Sequence, residues 1–501
     1  MPYRDLRAFV ERLKKEGEFV QVEREVDLLY EIGAICRLAL DRGGMDGNKA
    51  LYLSHPKGHS HGVAVNLLST RRRYCIALEC NPDQVHEEWL RRTKNPIPPI
   101  IVRDGPCKEV LRIGKDVNLF ELPIPTWNEK DGGPYITFPC HISKDPETGL
   151  RNAAMYRAMV HDERTLGILA APYRHIRQHF DKARAQGRPL PVAIAVGLDP
   201  TIYATAVASF PFGVDELAMA GALRGEPVEM VQCETVPLEV PAGSEVVIEG
   251  EMLPAVLRDE GPFGEFTGYY GDRAPQPVIE VKAITHRKDF IFQGSYTGLP
   301  HNENCVVTGI SNEAEIIRQC PLPGIKKVHF TSGGGGYLHA VVSIKKPYDG
   351  YGKMVGLSVL GTTAGRTVKL VTVVDEDIDP SDLVQVDWAV TTRVRVDRDI
   401  EIIKDLSANV LDPTMVVSEK RAGSRADKMI IDATKPILEP LQPECRPEPG
   451  SSKKSSGTGK NTGFHRSQER LFLSPSASQR RSKHKRTARC EACVTVPSRL
   501  F

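Results

Sequence analysis

Hydrophobic residues near the N-terminus recur at the spacing of an amphipathic helix, at Leu6, Phe9, Val10 and Leu13. This pattern predicts a first helix over residues 4–16, and similar patterns predict helices over 28–43 and 82–92. Two proline-rich stretches, "NPIPPIIVRDGP" and "ELPIPTW", then interrupt the chain. Because proline-rich segments are typical of domain boundaries, we expect an N-terminal α/β domain over residues 1–125.

The pattern from residue 126 to residue 305 is rich in strands. Short runs with alternating or continuous apolar residues are separated by turns, as in "AAMYRAMVHDERTLGILAA", "LPVAIAVGL" and "SEVVIEGEML". Two helices interrupt them, "RHIRQHFDKARAQG" and "VDELAMAGALRG", and each ends in glycine. Many short strands with few helices predict a barrel or a strongly curved sheet.

The remainder of the chain divides into two parts. Helices and strands alternate over residues 306–446, which predicts a C-terminal α/β domain. In this domain "TSGGGG" lies between two predicted strands and does not open a helix, so it fails as a phosphate-binding loop. Residues 447–501 lack apolar periodicity, and we expect them to be a disordered basic tail. The expected fold class is therefore a multidomain α+β protein.

Charge is distributed unevenly along the chain. Residues 451–501 hold 12 Lys and Arg against 2 Asp and Glu, a net +10, so residues 1–450 carry −8 of the total charge of +2. A basic tail is compatible with nucleic acid or an anionic surface. No nucleic-acid-binding motif accompanies it, so we expect no nucleic-acid partner.

Composition narrows the class of protein further. The 501 residues are 41% hydrophobic and 26% charged, values typical of soluble multidomain proteins. No apolar run reaches the 18 or so residues of a membrane span. The 11 cysteines are scattered, apart from "CEAC" near the C-terminus, and no signal peptide precedes the first helix. These features predict a cytoplasmic location with reduced thiols.

The stretch "RDEGPFGEFTGYYGD" places two carboxylates, Glu260 and Glu265, on either side of a Gly-Pro-Phe-Gly turn. Proline fixes φ, and glycine allows backbone angles that other residues resist, so the turn holds both acids in set directions. Acidic turns between strands are common, and this motif alone does not establish a site.

Three further motifs supply possible metal ligands: Asn152 in "RNAAMYRAM", His175 in "APYRHIRQHF" and Glu216 in "VDELAMAGALRG". Each residue by itself has an ordinary structural explanation. Together, a carboxamide, an imidazole and a carboxylate suit a hard divalent ion such as Mg²⁺ or Mn²⁺. Arg174 at the start of the following helix suits a phosphate group.

The chain closely resembles the UbiD-type decarboxylases, which use prenylated FMN. The resemblance extends from about residue 3 to residue 440 and rests on "NAAMYRAM", "RHIRQ", "VDELAMAGALRGEPVEMV", "EGPFGEFTGYYG" and "KLVTVVDEDID…VDWAVTTR". It implies a central split β-barrel related to flavin reductases, flanked by N-terminal and C-terminal α/β domains. Two features depart from the family pattern: Arg174, where some members carry Gln, and the tail after about residue 447.

The resemblance also implies roles for individual residues. Asn152, His175 and Glu216 would bind Mn²⁺ or Mg²⁺ beside the flavin phosphate, with K⁺ as a further candidate ion. Arg157, Glu260 and Glu265 would form the catalytic network, in which Glu260 pairs with Arg157 and Glu265 donates a proton. The implied cofactor contacts are Asn152, Ala153, Ala154, Met155, Tyr156, Arg157, Arg174, His175, Glu216 and Lys369.

The implied reaction is the reversible, non-oxidative decarboxylation of an aromatic or α,β-unsaturated acid through a covalent prenylated-FMN adduct. Loss of CO₂ from an sp² carbon needs an electron sink that ordinary side chains do not provide. The stretch "GSYTGLPHNENCVV" is expected to line the substrate pocket, and its His301, Asn302 and Asn304 suggest a hydroxylated aromatic acid.

Expected partners are a UbiX-type flavin prenyltransferase, which supplies the cofactor, and further copies of the chain in a dimer or hexamer. Two other functions stay open at this stage. One is a metal-dependent hydrolase in which a glutamate activates water. The other is a non-catalytic subunit of a carboxylase complex.

Overall fold

The computed structural model describes residues 3–416 and 424–445. Residues Met1–Glu439 form one compact unit, and a second unit begins at Pro440. The described residues of the second unit, 440–445, form neither helix nor strand. The predicted basic tail over 447–501 lies outside the described residues.

The N-terminal segment contains the three predicted helices, which begin and end within three or four residues of the predicted bounds. Its elements are α1 (Leu6–Lys15), β1 (Phe19–Val26), α2 (Glu31–Gly47), β2 (Ala50–Pro56), β3 (Val63–Val65), α3 (Arg71–Leu78) and α4 (Val85–Arg92). The side chain of Asp5 caps α1 by accepting a hydrogen bond from the backbone N–H of Ala8 at 3.0 Å. The predicted apolar face of α1 is buried.

The central segment is rich in strands, as predicted. Its first elements are β4 (Ile100–Ile101), β5 (Val110–Ile113), β6 (Tyr135–Ile136), β7 (Cys140–Lys144), β8 (Arg151–Ala154), β9 (Ala158–Asp162), β10 (Thr165–Ile168), α5 (His175–Ala185), β11 (Leu190–Val196), α6 (Pro200–Val207) and α7 (Glu216–Arg224). They are followed by β12 (Glu229–Gln232), β13 (Glu239–Pro241), β14 (Val246–Glu260), β15 (Phe263–Gly264), β16 (Tyr270–Gly271), β17 (Ala274–His286) and β18 (Phe292–Gln293).

Nine of these strands form one antiparallel sheet in the order β6-β9-β10-β17-β14-β11-β7-β8, with β5 also paired to β17. Within the described residues the two ends of this order, β6 and β8, do not pair with each other, so the strand pairing shows no barrel. The strand-rich central segment is confirmed, and the closed form of its sheet is not.

The C-terminal segment is the α/β arrangement that the sequence predicts. Its elements are α8 (Glu303–Gln319), β19 (Ile325–Phe330), β20 (His339–Ile344), α9 (Tyr351–Gly361), β21 (Leu370–Asp375), α10 (Leu383–Arg393), β22 (Ile400–Ser407) and β23 (Arg425–Ala433). The strands form a mixed sheet in the order β19-β20-β21-β23-β22. The "TSGGGG" stretch connects β19 to β20, as expected.

The segments are interleaved. Strand β18 follows the central sheet in the sequence but pairs with β3, so it completes the order β1-β2-β3-β18. One hydrophobic core contains Leu6 from the N-terminal segment, Phe138 from the central segment and Val307 from α8. This shared core fixes all three segments around the cavity described next.

Candidate active site

Arg157 is bound by both carboxylates of the acidic turn. Its Nε and Nη2 donate to Oε1 and Oε2 of Glu260, each at 2.8 Å, in a bidentate pair. Its remaining nitrogen, Nη1, forms an ion pair with Oε1 of Glu265. The structure therefore brings together the three residues of the expected network. Glu265 contacts Arg157 directly, in addition to the predicted pair of Glu260 with Arg157.

The turn between the two acids is fixed by its backbone. Gly261 has φ of +94°, and a Cβ there would lie 2.6 Å from the carbonyl oxygen of Asp272. The N–H of Gly264 donates to Oδ1 of Asp131 at 2.8 Å. Because β14 ends at Glu260 and the turn is held at Gly264, the carboxylate of Glu265 is directed back to Arg157.

The network is buried against aromatic rings. The side chains of Arg157, Glu260 and Glu265 are 9%, 1% and 6% exposed. The guanidinium of Arg157 lies 4.9 Å from the centroid of Phe263, within the range of a cation–π contact. Burial opposes the charge of Arg157, but Glu260 outweighs burial and raises its pKa. The arginine is therefore a fixed cation in a dry site.

A cavity opens beside this network. Side chains from the central and C-terminal segments line it, and they include several aromatic rings and neutral polar groups. The lining residues are Thr137, Met155, Tyr156, Arg157, Leu169, Ala171, Tyr173, Arg174, Ala206, Val207, Phe263, Glu265, Phe266, Thr297, Asn304, Tyr337, Asn409, Val410 and Leu411. A flat apolar ligand with a few polar groups suits such a lining.

The three candidate metal ligands converge although they come from three elements. Asn152 lies on β8, and His175 and Glu216 are the first residues of α5 and α7. Nδ1 of His175 lies 3.2 Å from Oδ1 of Asn152 and 3.9 Å from Oε1 of Glu216. Oε2 of Glu216 accepts a hydrogen bond from the N–H of Ala153 at 2.9 Å, which orients the carboxylate.

The electrostatics of this group suit a divalent cation. Burial raises the pKa of Glu216 to about 8, which shows a carboxylate without an adequate counter-charge in the protein alone. Burial, then Arg174 and Arg366, lower the pKa of His175 and favour the neutral imidazole that binds metals. One oxygen from an amide, one nitrogen and one carboxylate therefore fit Mn²⁺ or Mg²⁺.

The remaining predicted cofactor residues lie in two places. Met155, Tyr156 and Arg174 line the cavity, whereas Ala153 and Ala154 complete β8 just before it. Ala153 serves the site through its backbone N–H, which orients Glu216. Of the predicted residues in this stretch, Met155 and Tyr156 therefore line the cavity, whereas Ala153 and Ala154 do not.

Lys369 is the predicted cofactor contact that the structure does not bring to the cavity. Its Nζ lies 2.9 Å from Oδ2 of Asp412 and donates to Oγ1 of Thr414 at 2.7 Å. Lys369 lies just before β21. Asn409, Val410 and Leu411, which precede its partner Asp412, line the cavity, but Lys369 does not. A role for Lys369 at the flavin stays a prediction.

The predicted substrate stretch is only partly at the cavity. Thr297 and Asn304 line it. Nε2 of His301 instead lies 2.7 Å from the carbonyl oxygen of Ser69, and Asn302 caps α8 by accepting from the N–H of Cys305. The prediction that all three polar residues at 301, 302 and 304 face the pocket was therefore wrong for His301 and Asn302.

Several lining residues were missed by sequence reasoning. Tyr173, Tyr337 and Asn409 come from loops far apart in the chain. Tyr173 precedes the "RHIRQ" motif and could have been found from that motif. No local signal marks Tyr337 or Asn409, because their position depends on how the C-terminal sheet packs on the central segment.

Family models match nearly all of the described chain. The models for the N-terminal domain, the Rift-related domain and the C-terminal domain of 3-octaprenyl-4-hydroxybenzoate carboxy-lyase match residues 10–93, 100–300 and 305–433. A phenolic acid decarboxylase of Sedimentibacter hydroxybenzoicus is 37% identical over 465 residues, which are 89% of this chain and 94% of the relative. The chain belongs to the UbiD family.

Solved structures agree with this assignment. The UbiD-class enzyme HmfF from Pelotomaculum thermopropionicum, in complex with FMN, is 38% identical with a TM-score of 0.81, over 90% of this chain and 98% of that one. An evolved dimeric form of HmfF has been solved in complex with prFMN. Vanillic acid decarboxylase of Sedimentibacter hydroxybenzoicus, in closed form, is 34% identical with a TM-score of 0.82, over 91% and 98% of the two chains.

Membership of the UbiD family makes this chain a carboxy-lyase, and a protein of three family domains with α+β architecture. The candidate network of Arg157, Glu260 and Glu265 lies within the Rift-related domain match. Across residues 3–416 and 424–445, no helix is long and apolar enough to cross a membrane.

Proposed function

We propose that this UbiD-family protein decarboxylates a hydroxylated aromatic acid, with prenylated FMN as cofactor. The observation that carries the proposal is the buried Arg157, held by Glu260 and in contact with Glu265 at the wall of the cavity. The aromatic lining suits an aromatic substrate, and Thr297 and Asn304 provide hydrogen-bonding groups for ring hydroxyls. The names of the phenolic acid and vanillic acid relatives support the same substrate class.

In this proposal Arg157 binds the substrate carboxylate. Glu260 occupies its Nε and Nη2, so Nη1 is the nitrogen that a substrate carboxylate takes in competition with Glu265. Once displaced, Glu265 is a buried acid without Arg157 beside it, and the proposal assigns the reacting proton to it in this position. In this state Glu265 carries the proton that the reaction requires.

The chemical step breaks the bond between the carboxyl carbon and the ring or alkenyl carbon. When bound, the prenylated flavin supplies the electron sink for the pair left on that carbon. Glu265 returns a proton to the same carbon as CO₂ departs, and solvent reprotonates Glu265 after product release. The aromatic walls exclude water, which would otherwise compete as proton donor.

Asn152, His175 and Glu216 would hold Mn²⁺ or Mg²⁺ at the flavin phosphate, and Arg174 would contact the phosphate. Support comes from their convergence within 4 Å and from the raised pKa of Glu216. Met155 and Tyr156 would contact the flavin at the cavity wall. K⁺ and a contact from Lys369 belong to the same proposal without further support from the geometry.

The finer features of the fold and assembly are also proposals. The long strands β14 and β17 change register after Glu249 and after Met252, and such irregularities curve a sheet, which supports a split barrel. We propose domain boundaries near residues 125 and 305. A homo-oligomer is supported by the dimeric form solved for HmfF, and a UbiX-type prenyltransferase would supply the cofactor.

A decarboxylation assay with purified protein tests the proposal. The chain is produced together with a flavin prenyltransferase, and CO₂ release is measured with hydroxybenzoic and hydroxycinnamic acids. Bound flavin, bound metal and CO₂ release from the chain alone are the expected result. A protein that contains metal but no flavin would favour the hydrolase. A flavin-loaded protein that releases CO₂ only with added subunits would favour the carboxylase subunit.

A further inference from the structure

Two arginines contact one tyrosine ring at the edge of the cavity. The guanidinium carbon of Arg174 lies 5.6 Å from the ring centroid of Tyr173, and that of Arg366 lies 4.7 Å from it. Arg174 occupies the position just before α5, whereas Arg366 lies in a short 3₁₀ turn over Gly365–Thr367, just before β21. The ring therefore brings together cations from the central and C-terminal segments.

No acid neutralises this pair within the described residues. Neither Arg174 nor Arg366 forms an ion pair in the part of the chain that the structure describes. Nε of Arg366 is buried and makes no hydrogen bond. Burial and the charge of Arg174 lower the pKa of Arg366, as expected for like charges that share a partly dry site.

Lys428 places a third cationic side chain beside Arg366. Lys428 on β23 is 3% exposed, and its Nζ donates to the backbone carbonyl of Arg366. Burial, then Arg366, lower the pKa of Lys428 to about 8. Three neighbouring cationic side chains repel one another when no carboxylate pairs with them. Such a cluster therefore indicates a site for an anion.

A phosphate suits these cations better than the substrate carboxylate does. The substrate carboxylate is accounted for by Arg157, which has its own acids at Glu260 and Glu265. Arg174 directly precedes His175, where the metal and phosphate are proposed, and Tyr173 lines the same cavity. A phosphate monoester dianion matches two guanidinium groups in charge and in hydrogen-bonding geometry.

We propose that Arg366, together with Arg174, clamps the phosphate of the flavin, with the Tyr173 ring in contact with both guanidinium groups. This inference rests on the proposed function. It adds a ligand from the C-terminal segment to a phosphate site otherwise built from the central segment. Flavin binding would then also tie the turn before β21 to α5.

Binding of FMN and of riboflavin to the metal-loaded protein without flavin tests the clamp, because the two ligands differ only in the phosphate. Flavin fluorescence gives both dissociation constants. Arg366→Met removes the charge and keeps the length of the side chain. We expect it to weaken FMN binding by about tenfold or more, and to leave riboflavin binding within about twofold of the parent.

The matched control is Arg184→Met. Arg184 also lies over an aromatic ring, 5.8 Å from the centroid of Phe180, but it pairs with Asp181 and is half exposed. The Arg184→Met variant should bind FMN and riboflavin with the affinities of the parent. Arg366→Lys, which restores a charge without the planar guanidinium, should lie between the parent and Arg366→Met, and it replaces Arg366→Met if that variant does not fold.

Two outcomes would overturn the clamp and leave the proposed function standing. The first is FMN binding by Arg366→Met, or by Arg366→Lys where only that variant folds, equal to that of the parent. The second is an equal loss of FMN and riboflavin affinity, which would indicate a structural role. A parent protein that binds neither flavin would overturn the proposed function and the clamp together.

Discussion

Arg157 and Glu260 are joined by two parallel hydrogen bonds of 2.8 Å, and both side chains are almost completely buried. This geometry fixes the plane of the guanidinium and uses two of its three nitrogens. The third nitrogen faces Glu265. In the proposed mechanism, a substrate carboxylate would compete with Glu265 for this one hydrogen-bonding position, and substrate binding would thereby release the acid.

Glu265→Gln keeps the shape of the side chain and removes its acidic proton. We expect turnover to fall by about 10²–10⁴, because loss of a general acid typically costs that much. Flavin and metal content should match the parent. Steady-state CO₂ release measured at equal cofactor content decides the result. Glu163→Gln, on the exposed hairpin between β9 and β10, is the control and should be unchanged. Near-normal turnover of Glu265→Gln would move the acid role to Glu260.

Arg157→Lys keeps the charge but lacks the planar fork that holds Glu260 through two bonds. We expect kcat/KM to fall by at least about a hundredfold, since both the carboxylate contact and the position of Glu265 depend on that fork. Arg164→Lys, in the exposed turn of the same hairpin, is the matched control. Comparable kcat/KM in Arg157→Lys and the parent would show that a point charge is enough, and would contradict the proposed role.

His175→Ala removes one of the three converging ligands. Metal content should fall more than about tenfold, and retained flavin should fall with it, because ligand removal weakens the ion at the phosphate. Elemental analysis and flavin absorbance measure both. His179→Ala is the control on the same helix, because Nδ1 of His179 contacts Oγ of Ser143 at 3.0 Å and His179 is not one of the three converging side chains. Equal metal in the His175→Ala variant and the parent would remove His175 from the site.

Glu313 on α8 links four elements and should be important for stability. Its carboxylate contacts Nε2 of His86 on α4 at 2.7 Å, Nδ1 of His329 on β19 at 3.1 Å and Nη1 of Arg71 on α3 at 3.3 Å. Glu313→Gln leaves these groups without their anion. We expect the free energy of unfolding at pH 7 to fall by about 3 kcal/mol, as measured by chemical denaturation. Glu401→Gln, on the exposed β22, should change it little.

The effect of Glu313→Gln should depend on pH. Burial alone would raise the pKa of Glu313, but Arg71, His329 and His86 outweigh burial and hold it well below the usual value. A glutamate with a lowered pKa stabilises the fold above its ordinary pKa of about 4.3 and loses that contribution as pH falls. The stability difference between parent and variant should therefore narrow below about pH 4. A constant difference from pH 7 to pH 3 would contradict this explanation.

The acidic turn shows how much of the site was encoded locally. Gly261 and Pro262 fix the turn through their own backbone preferences, so the sequence indicated that Glu260 and Glu265 are held in set directions. The residues of "RHIRQHFDKARAQG" likewise predicted the helix that begins at His175. These features depend on hydrogen bonds and side-chain spacing over a few residues, which a sequence displays directly.

The sequence by itself determined the element types, the order of the three segments and the chemical character of the candidate residues. Only the tertiary structure decided which of them meet. Packing of β8, α5 and α7 brings Asn152 and Glu216 within 4 Å of His175, whereas Lys369 pairs with Asp412 away from the cavity. The meeting of Arg174 and Arg366 over Tyr173 likewise joins residues almost 200 positions apart. Such contacts depend on how the apolar faces of distant elements pack together, and a local pattern of residues does not predict that packing.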